Sequence, residues 1–177
     1  MTDGSSPSVD GPGARGADVA GEFASIRALA TDSERMDAFV RLWWATHGGR
    51  PASWAGFYLD CPGEPDSSRL VLGHRLPKPA CSPIGMHGAC GQSLAAARSL
   101  VVVDVADLGA GYVACDPRDR SELVVPCLRP DGTAWAVFDA DSHDAGAFGV
   151  DDARNCEAWL QQAGLSARHT ARPRVSR

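Results

Sequence analysis

Six cysteines in a chain of 177 residues raise the question of thiol chemistry, and one of them is placed for it. Cys115 stands in GYVACDPRDRSE, Gly111 to Glu122, a polar, charge-rich stretch between two apolar runs that read as strands. A thiol reacts as its thiolate, so neighbouring charge matters: Arg118 and Arg120 favour the thiolate, while Asp116 and Asp119 oppose it. Cys81 lies upstream in a Gly/Pro-punctuated loop with the freedom to travel to a partner, and Cys90 in the first turn of a short Ala-rich helix, where the macrodipole favours a thiolate. One thiol with two possible thiol partners points to redox chemistry without choosing a substrate. Cys127, inside ELVVPCL, and Cys156, on the apolar side of a helix, read as small buried hydrophobes, and Cys61 sits in a turn. No C-x-x-C pair is present and the spacing of the other three fits no compact finger, so no metal site is expected.

Acid–base partners come from TAWAVFDAD. Strand alternation puts Trp135, Val137, Asp139 and Asp141 on one face and Ala134, Ala136, Phe138 and Ala140 on the other. Two carboxylates side by side repel, which can leave one holding a proton near neutrality, as a general acid must. The plain alternative is an acidic strand end in solvent. Glu122 opens the preceding strand and can join these aspartates, or else pair with Arg118 or Arg120. Trp54 and Tyr58 share one face of SWAGFYLD, either as core or as the aromatic wall of a site for an apolar or sulfur-bearing ligand. His74, His87 and His143 show neither metal-ligand spacing nor a nucleophile partner.

The elements that must position these groups follow from periodicity. Residues 1–17 combine Gly, Ser, Pro and Asp with almost nothing to bury and read as a disordered tail. Apolar residues at helical spacing predict helices over Asp18 to Ala30 and from the capping candidates Thr31, Asp32 and Ser33 to Gly48-Gly49. Strands are expected at Ser53 to Asp60, Arg69 to Arg75, Leu100 to Asp104, Glu122 to Leu128 and Thr133 to Asp141. A helix covers Ala89 to Arg98 and a last one Asp151 to Gln162, while three prolines and a glycine make Leu76 to His87 a long loop. One α+β domain over 18–164 results: a mostly antiparallel sheet, the terminal helices on one face, and a loop-and-helix cover over a pocket on the other. Residues 165–177, rich in arginine, read as a solvated tail.

The net charge of -5 argues against nucleic acid, which needs a clustered cationic excess. No apolar run suits a signal peptide or a membrane span, so a soluble, cytoplasmic protein is expected, in whose reducing compartment permanent disulfides are rare.

In order along the chain, WAGFYL, LVLG, KPAC, GACG, VVVDV, the ACD of GYVACDPRDRSELVVP, and FDADS resemble the GAF-domain free methionine-(R)-sulfoxide reductases, over Trp54 to about Leu160. The resemblance implies a GAF fold and a typically homodimeric enzyme. By that resemblance Cys115 attacks the sulfoxide sulfur and becomes a sulfenic acid, Cys81 resolves it as a disulfide, and Cys90 takes part. Glu122, Asp139 and Asp141 would line the methionine sulfoxide pocket, with Trp54 and Tyr58 in its aromatic wall. No cofactor is implied beyond thioredoxin as external reductant. Two rivals belong to other classes: a non-catalytic GAF module that binds a small ligand, which leaves three cysteines unexplained, and a thiol redox sensor, which gives the carboxylates no role.

Overall fold

A computed structural model describes residues 19–108 and 115–176. Helices α1 (Val19–Arg27) and α2 (Asp32–His47) come first, then strands β1 (Trp54–Asp60) and β2 (Leu70–Leu76). Helix α3 (Ala89–Ala96), strand β3 (Leu100–Val102) and a 3-10 turn at Val105–Leu108 lead toward Cys115. Strands β4 (Ser121–Leu128) and β5 (Ala134–Ser142), helix α4 (Val150–Gln162) and strand β6 (Arg174–Ser176) complete the order. The start of α2 is fixed by a capping box, in which Glu34 N donates to Thr31 Oγ1 at 3.2 Å and Thr31 N donates to Glu34 Oε2 at 2.9 Å.

The strands form one sheet in the order β2-β1-β5-β4-β3-β6, antiparallel except between β3 and β6. One face buries Phe39, Val40 and Trp43 of α2, Phe23 and Ile26 of α1, and Ala153, Cys156 and Leu160 of α4 against Phe57, Val125 and Phe138. On the other face Cys90 and Leu94 of α3 pack with Trp54, Tyr58, Val102, Val124 and Val137. The chain thus has the expected α+β layering, with Cys127 and Cys156 in the helical core. Shape complementarity at α3 is tight, since a Cβ on Gly91 would lie 2.2 Å from Met86 O. Glycine there lets the helix lie directly on the loop that precedes it.

Three expectations change. The segment from 165 is not a free tail: Leu165 is buried, Ala167 N donates to Leu128 O at 2.8 Å, and β6 pairs in parallel with β3. Loop 77–88 is pinned rather than free to travel, because Leu70 and Ile84 exchange backbone hydrogen bonds and Leu72 N donates to Ser82 Oγ at 3.0 Å. Trp135 leaves the face assigned by alternation, since a bulge opposite Cys127 and Leu128 turns it onto the helical side, where Arg129 lies 4.7 Å from its ring centre. From Ala136 to Asp141 the alternation holds. The expected disorder of residues 1–17 lies outside the described residues.

Candidate active site

Cross-strand pairing builds the floor of a site on the α3 face of the sheet. Trp54 on β1 pairs with Asp141 on β5, and Asp141 with Glu122 on β4. Gly56, Asp139 and Val124 form the next row on the same face, and Tyr58, Val137 and Pro126 the one after it. Above them loop 77–88 and the first turn of α3 enclose a cavity of about 260 Å³, close to the size of about 300 Å³ at which small-molecule sites begin. Of the residues singled out from the sequence, Tyr58, Cys81, Cys90, Cys115, Glu122, Asp139 and Asp141 all border it.

Trp54 does not border the cavity. Its indole folds over Gly56, where a Cβ would lie 2.6 Å from Cη2, and Nε1 donates to Lys78 O at 2.9 Å. Tyr58, with its ring centre 6.1 Å from that of Trp54, donates its hydroxyl to Cys81 O at 2.9 Å. The aromatic pair therefore holds the loop backbone, and Tyr58 alone of the two meets the space beneath it.

Two titratable cavity residues are not singled out from the sequence as members of a site, Asp119 and His87. Asp119 is only 5% exposed and accepts a hydrogen bond from Ser53 Oγ at 3.2 Å. In a run as charged as DPRDR an aspartate reads as solvated, and the contacts that bury it, to Ser53 and His143, are distant in sequence. The one available signal for His87 was its place just before a helix start.

The electrostatics are those of a crowded acidic pocket whose floor is buried and whose mouth is open. Burial, with the charge of Asp119 adding to it, pushes Asp139 up to about 7, although hydrogen bonds with Cys90 and Glu122 favour its ionised form. Asp139 Oδ1 has no hydrogen-bond partner among the described residues. Asp141 is raised well above the carboxylate range by burial and by the neighbouring charges of Asp139 and Glu122. Cys90 is a buried thiol raised by the same two causes, so its place at a helix start does not make it a thiolate: desolvation outweighs the macrodipole. Cys115 stands at the rim, exposed as a residue, yet partial desolvation of its sulfur and its hydrogen bond with the Cys81 side chain push it up to about 12. The two arginines expected to favour its thiolate are engaged elsewhere, Arg118 with Asp116 and Arg120 with Asp104.

These shifts make stability depend on pH. A carboxyl whose folded pKa is raised contributes stability that is fully present below its unfolded value and lost as pH rises through the folded one. For Asp139 that window runs from about 4 to about 7. Asp37, Asp104 and Asp116, held low by their cationic partners, act only below it. We expect Asp139→Asn to raise Tm at pH 8 by several degrees, at roughly 2–4 °C per kcal/mol, and to leave it nearly unchanged at pH 4.5. Melting curves at the two pH values check this, and an equal shift at both would contradict it.

Among the described residues, two groups of side chains bring three possible ligand atoms within 4.8 Å: Cys90, Glu122 and Asp139, and Asp116, Asp119 and His143. In the second, Asp116 is already neutralised by Lys78 and Arg118. In the first, Asp139 shares hydrogen bonds with both Cys90 and Glu122, an arrangement that protonated acids make without an ion.

No protein-family model matches the chain. It is 36% identical over 97 residues to the free methionine-R-sulfoxide reductase of Saccharomyces cerevisiae, an overlap of 54% of this chain and 52% of the yeast protein, so it spans about half of that relative's length. Against the free methionine-R-sulfoxide reductase of Escherichia coli the identity is 33% over 146 residues, covering 81% of this chain and 78% of the relative. The chain belongs to the free methionine-R-sulfoxide reductase family. Among solved structures, that of the Neisseria meningitidis free methionine-R-sulfoxide reductase in complex with its substrate matches with a TM-score of 0.69 and 29% identity, over 80% of this chain and 81% of that one. A solved GAF domain matches with a TM-score of 0.70 and 27% identity, over 82% and 85% of the two chains. The fold is thus that of a GAF domain, as the motif order implied.

Proposed function

We propose that this protein reduces free L-methionine-(R)-sulfoxide to methionine, with Cys115 as nucleophile and Cys81 as resolving thiol. The observation that carries the reading is the contact of these two thiols at the mouth of a cavity floored by acids, of which burial pushes Asp139 and Asp141 toward the protonated form. A sulfoxide oxygen leaves poorly as an oxide, so it must gain a proton as sulfur is attacked. Cys115 takes the oxygen and becomes a sulfenic acid, its sulfur is oxidised, and the substrate leaves as the thioether. The thiol's own proton ends on that oxygen, so the acids act as a relay with no net proton consumed. Asp141 and Glu122, paired across β5 and β4, are suited to that relay because two like acids side by side retain one proton. Attack of the Cys81 thiol on the sulfenic acid then gives a disulfide and water.

Recognition of a free amino acid follows from the same walls. Helix α3 begins at Gly88 without a side-chain cap, and Gly88, Ala89 and Cys90 border the cavity, so its first N–H groups can take the substrate carboxylate. The unpartnered Asp139 Oδ1 would accept from the ammonium group. A residue within a polypeptide carries neither charge and would lose both contacts. A thioredoxin-type dithiol would restore the thiols, since Cys81 and Cys115 are both exposed. We further propose, on the family resemblance alone, that the enzyme is a cytoplasmic homodimer; among the described residues no helix is long and apolar enough to cross a membrane.

The test is turnover of the R and S forms of free methionine sulfoxide and of a peptide-bound form, under thioredoxin recycling. Only the free R form should be consumed. Equal use of the peptide-bound form, or binding of the free form without turnover, would sink the proposal.

A further inference from the structure

The two thiols sit on separate pieces of backbone, and each piece is anchored to the sheet on its own. The Cys81 side is held by the bonds from Trp54 Nε1 to Lys78 O and from Tyr58 OH to Cys81 O, both 2.9 Å. The Cys115 side is held through Asp119, which accepts from Ser53 Oγ, and through Arg120 N, which donates to Ser142 O at 2.7 Å. Across the gap, Lys78 Nζ donates to Asp116 Oδ2. Lys78 precedes Cys81 by three residues and Asp116 follows Cys115 directly, so this ion pair crosses beside the thiol contact.

Asp116 is aimed before the lysine arrives. Its Oδ1 accepts from the backbone N of Arg118 at 3.1 Å, closing an Asx turn, while the Arg118 guanidinium bonds both carboxylate oxygens at 3.0 and 2.8 Å. The Asp116 side chain is 14% exposed and that of Lys78 43%, so the pair is partly shielded from water and salt.

We propose that Lys78 and Asp116 are positioning residues for disulfide formation: their ion pair clasps the Cys81 loop to the Cys115 segment and sets the effective concentration of one thiol at the other. The clasp rests on the reading of Cys115 and Cys81 as a redox pair, and on no particular substrate. Its loss leaves both thiols in place but no longer held together, so the equilibrium for closing the disulfide falls while the fold stands.

The experiment equilibrates the full chain in glutathione redox buffers, in which glutathione disulfide and the two protein thiols give the intramolecular disulfide and two glutathione thiols. Alkylation and mass spectrometry read the ratio of forms. Lys78→Met should lower the equilibrium constant for the disulfide by about fivefold, the upper range for a half-exposed ion pair. Asp116→Ala should lower it by about tenfold or more, since a partly buried charge-assisted bond is also lost. Lys78→Arg should stay within about twofold of the parent, and raising the salt should weaken the parent but not Lys78→Met. An unchanged constant in Lys78→Met, or a fall in Lys78→Arg as deep as that in Lys78→Met, would overturn the clasp. Failure of the parent to close Cys81 onto Cys115 at any potential would instead overturn the redox-pair reading beneath it. Melting temperatures of the variants, expected within a few degrees of the parent, separate positioning from unfolding.

Discussion

Cys115→Ser should consume no free methionine-(R)-sulfoxide above background, whereas Cys81→Ser should release one methionine per chain and then stop. A serine hydroxyl at 115 cannot accept the sulfoxide oxygen without forming an oxygen–oxygen bond, so the acids and the binding walls would remain with no acceptor. In Cys81→Ser the oxygen passes to Cys115 normally, and the stable sulfenic acid has lost the thiol that lies against it. Chromatography of methionine after a single turnover, together with the mass of one added oxygen on the peptide holding Cys115, reads both outcomes. Steady turnover in Cys115→Ser would remove the nucleophile from the mechanism. A full second turnover of Cys81→Ser under thioredoxin would hand the resolving role to Cys90, which also borders the cavity.

The second large effect is expected at the paired acids. Asp141→Asn should lower kcat by about 10²–10⁴, the range typical of a lost general acid, with a much smaller change in KM. An amide keeps the size and a hydrogen-bond donor in the row Trp54, Asp141, Glu122, but it has no proton to release. Glu122→Gln should act in the same direction, and the double variant should fall little further than either single one, because the two acids form one relay. Steady-state kinetics on the three variants at one pH decides the matter. A rise in KM with kcat intact would instead assign these acids to ground-state binding of the substrate.

How much of this was legible in the sequence depends on the length scale of the signal. Strict alternation along β5 placed Asp139 and Asp141 on one face, because two-residue periodicity needs only local backbone. The same rule misplaced Trp135, because a bulge depends on the partner strand as much as on its own. The three cysteines that border the cavity could be named, by motif order, but not their ionisation. Helix position and nearby arginines are visible in sequence, while burial is not, and burial decides the state of Cys90 and Cys115. Strand β6 escaped notice because RVS is three residues long, follows a proline, and is a strand only by virtue of β3. Likewise the restraint on loop 77–88 comes from Leu70, Leu72 and the bare Cα of Gly91, none of which reads as a loop anchor on its own.

Strand β5 is covered on both sides for most of its length. From Ala136 to Ala140 every residue is buried, alternately in the helical core and on the site face of the sheet. Residues of the helical core therefore alternate, one by one, with residues on the face of the sheet that carries the cavity. An engineer seeking a new substrate through this strand has only every second position to work with, and no silent one between Ala136 and Ala140.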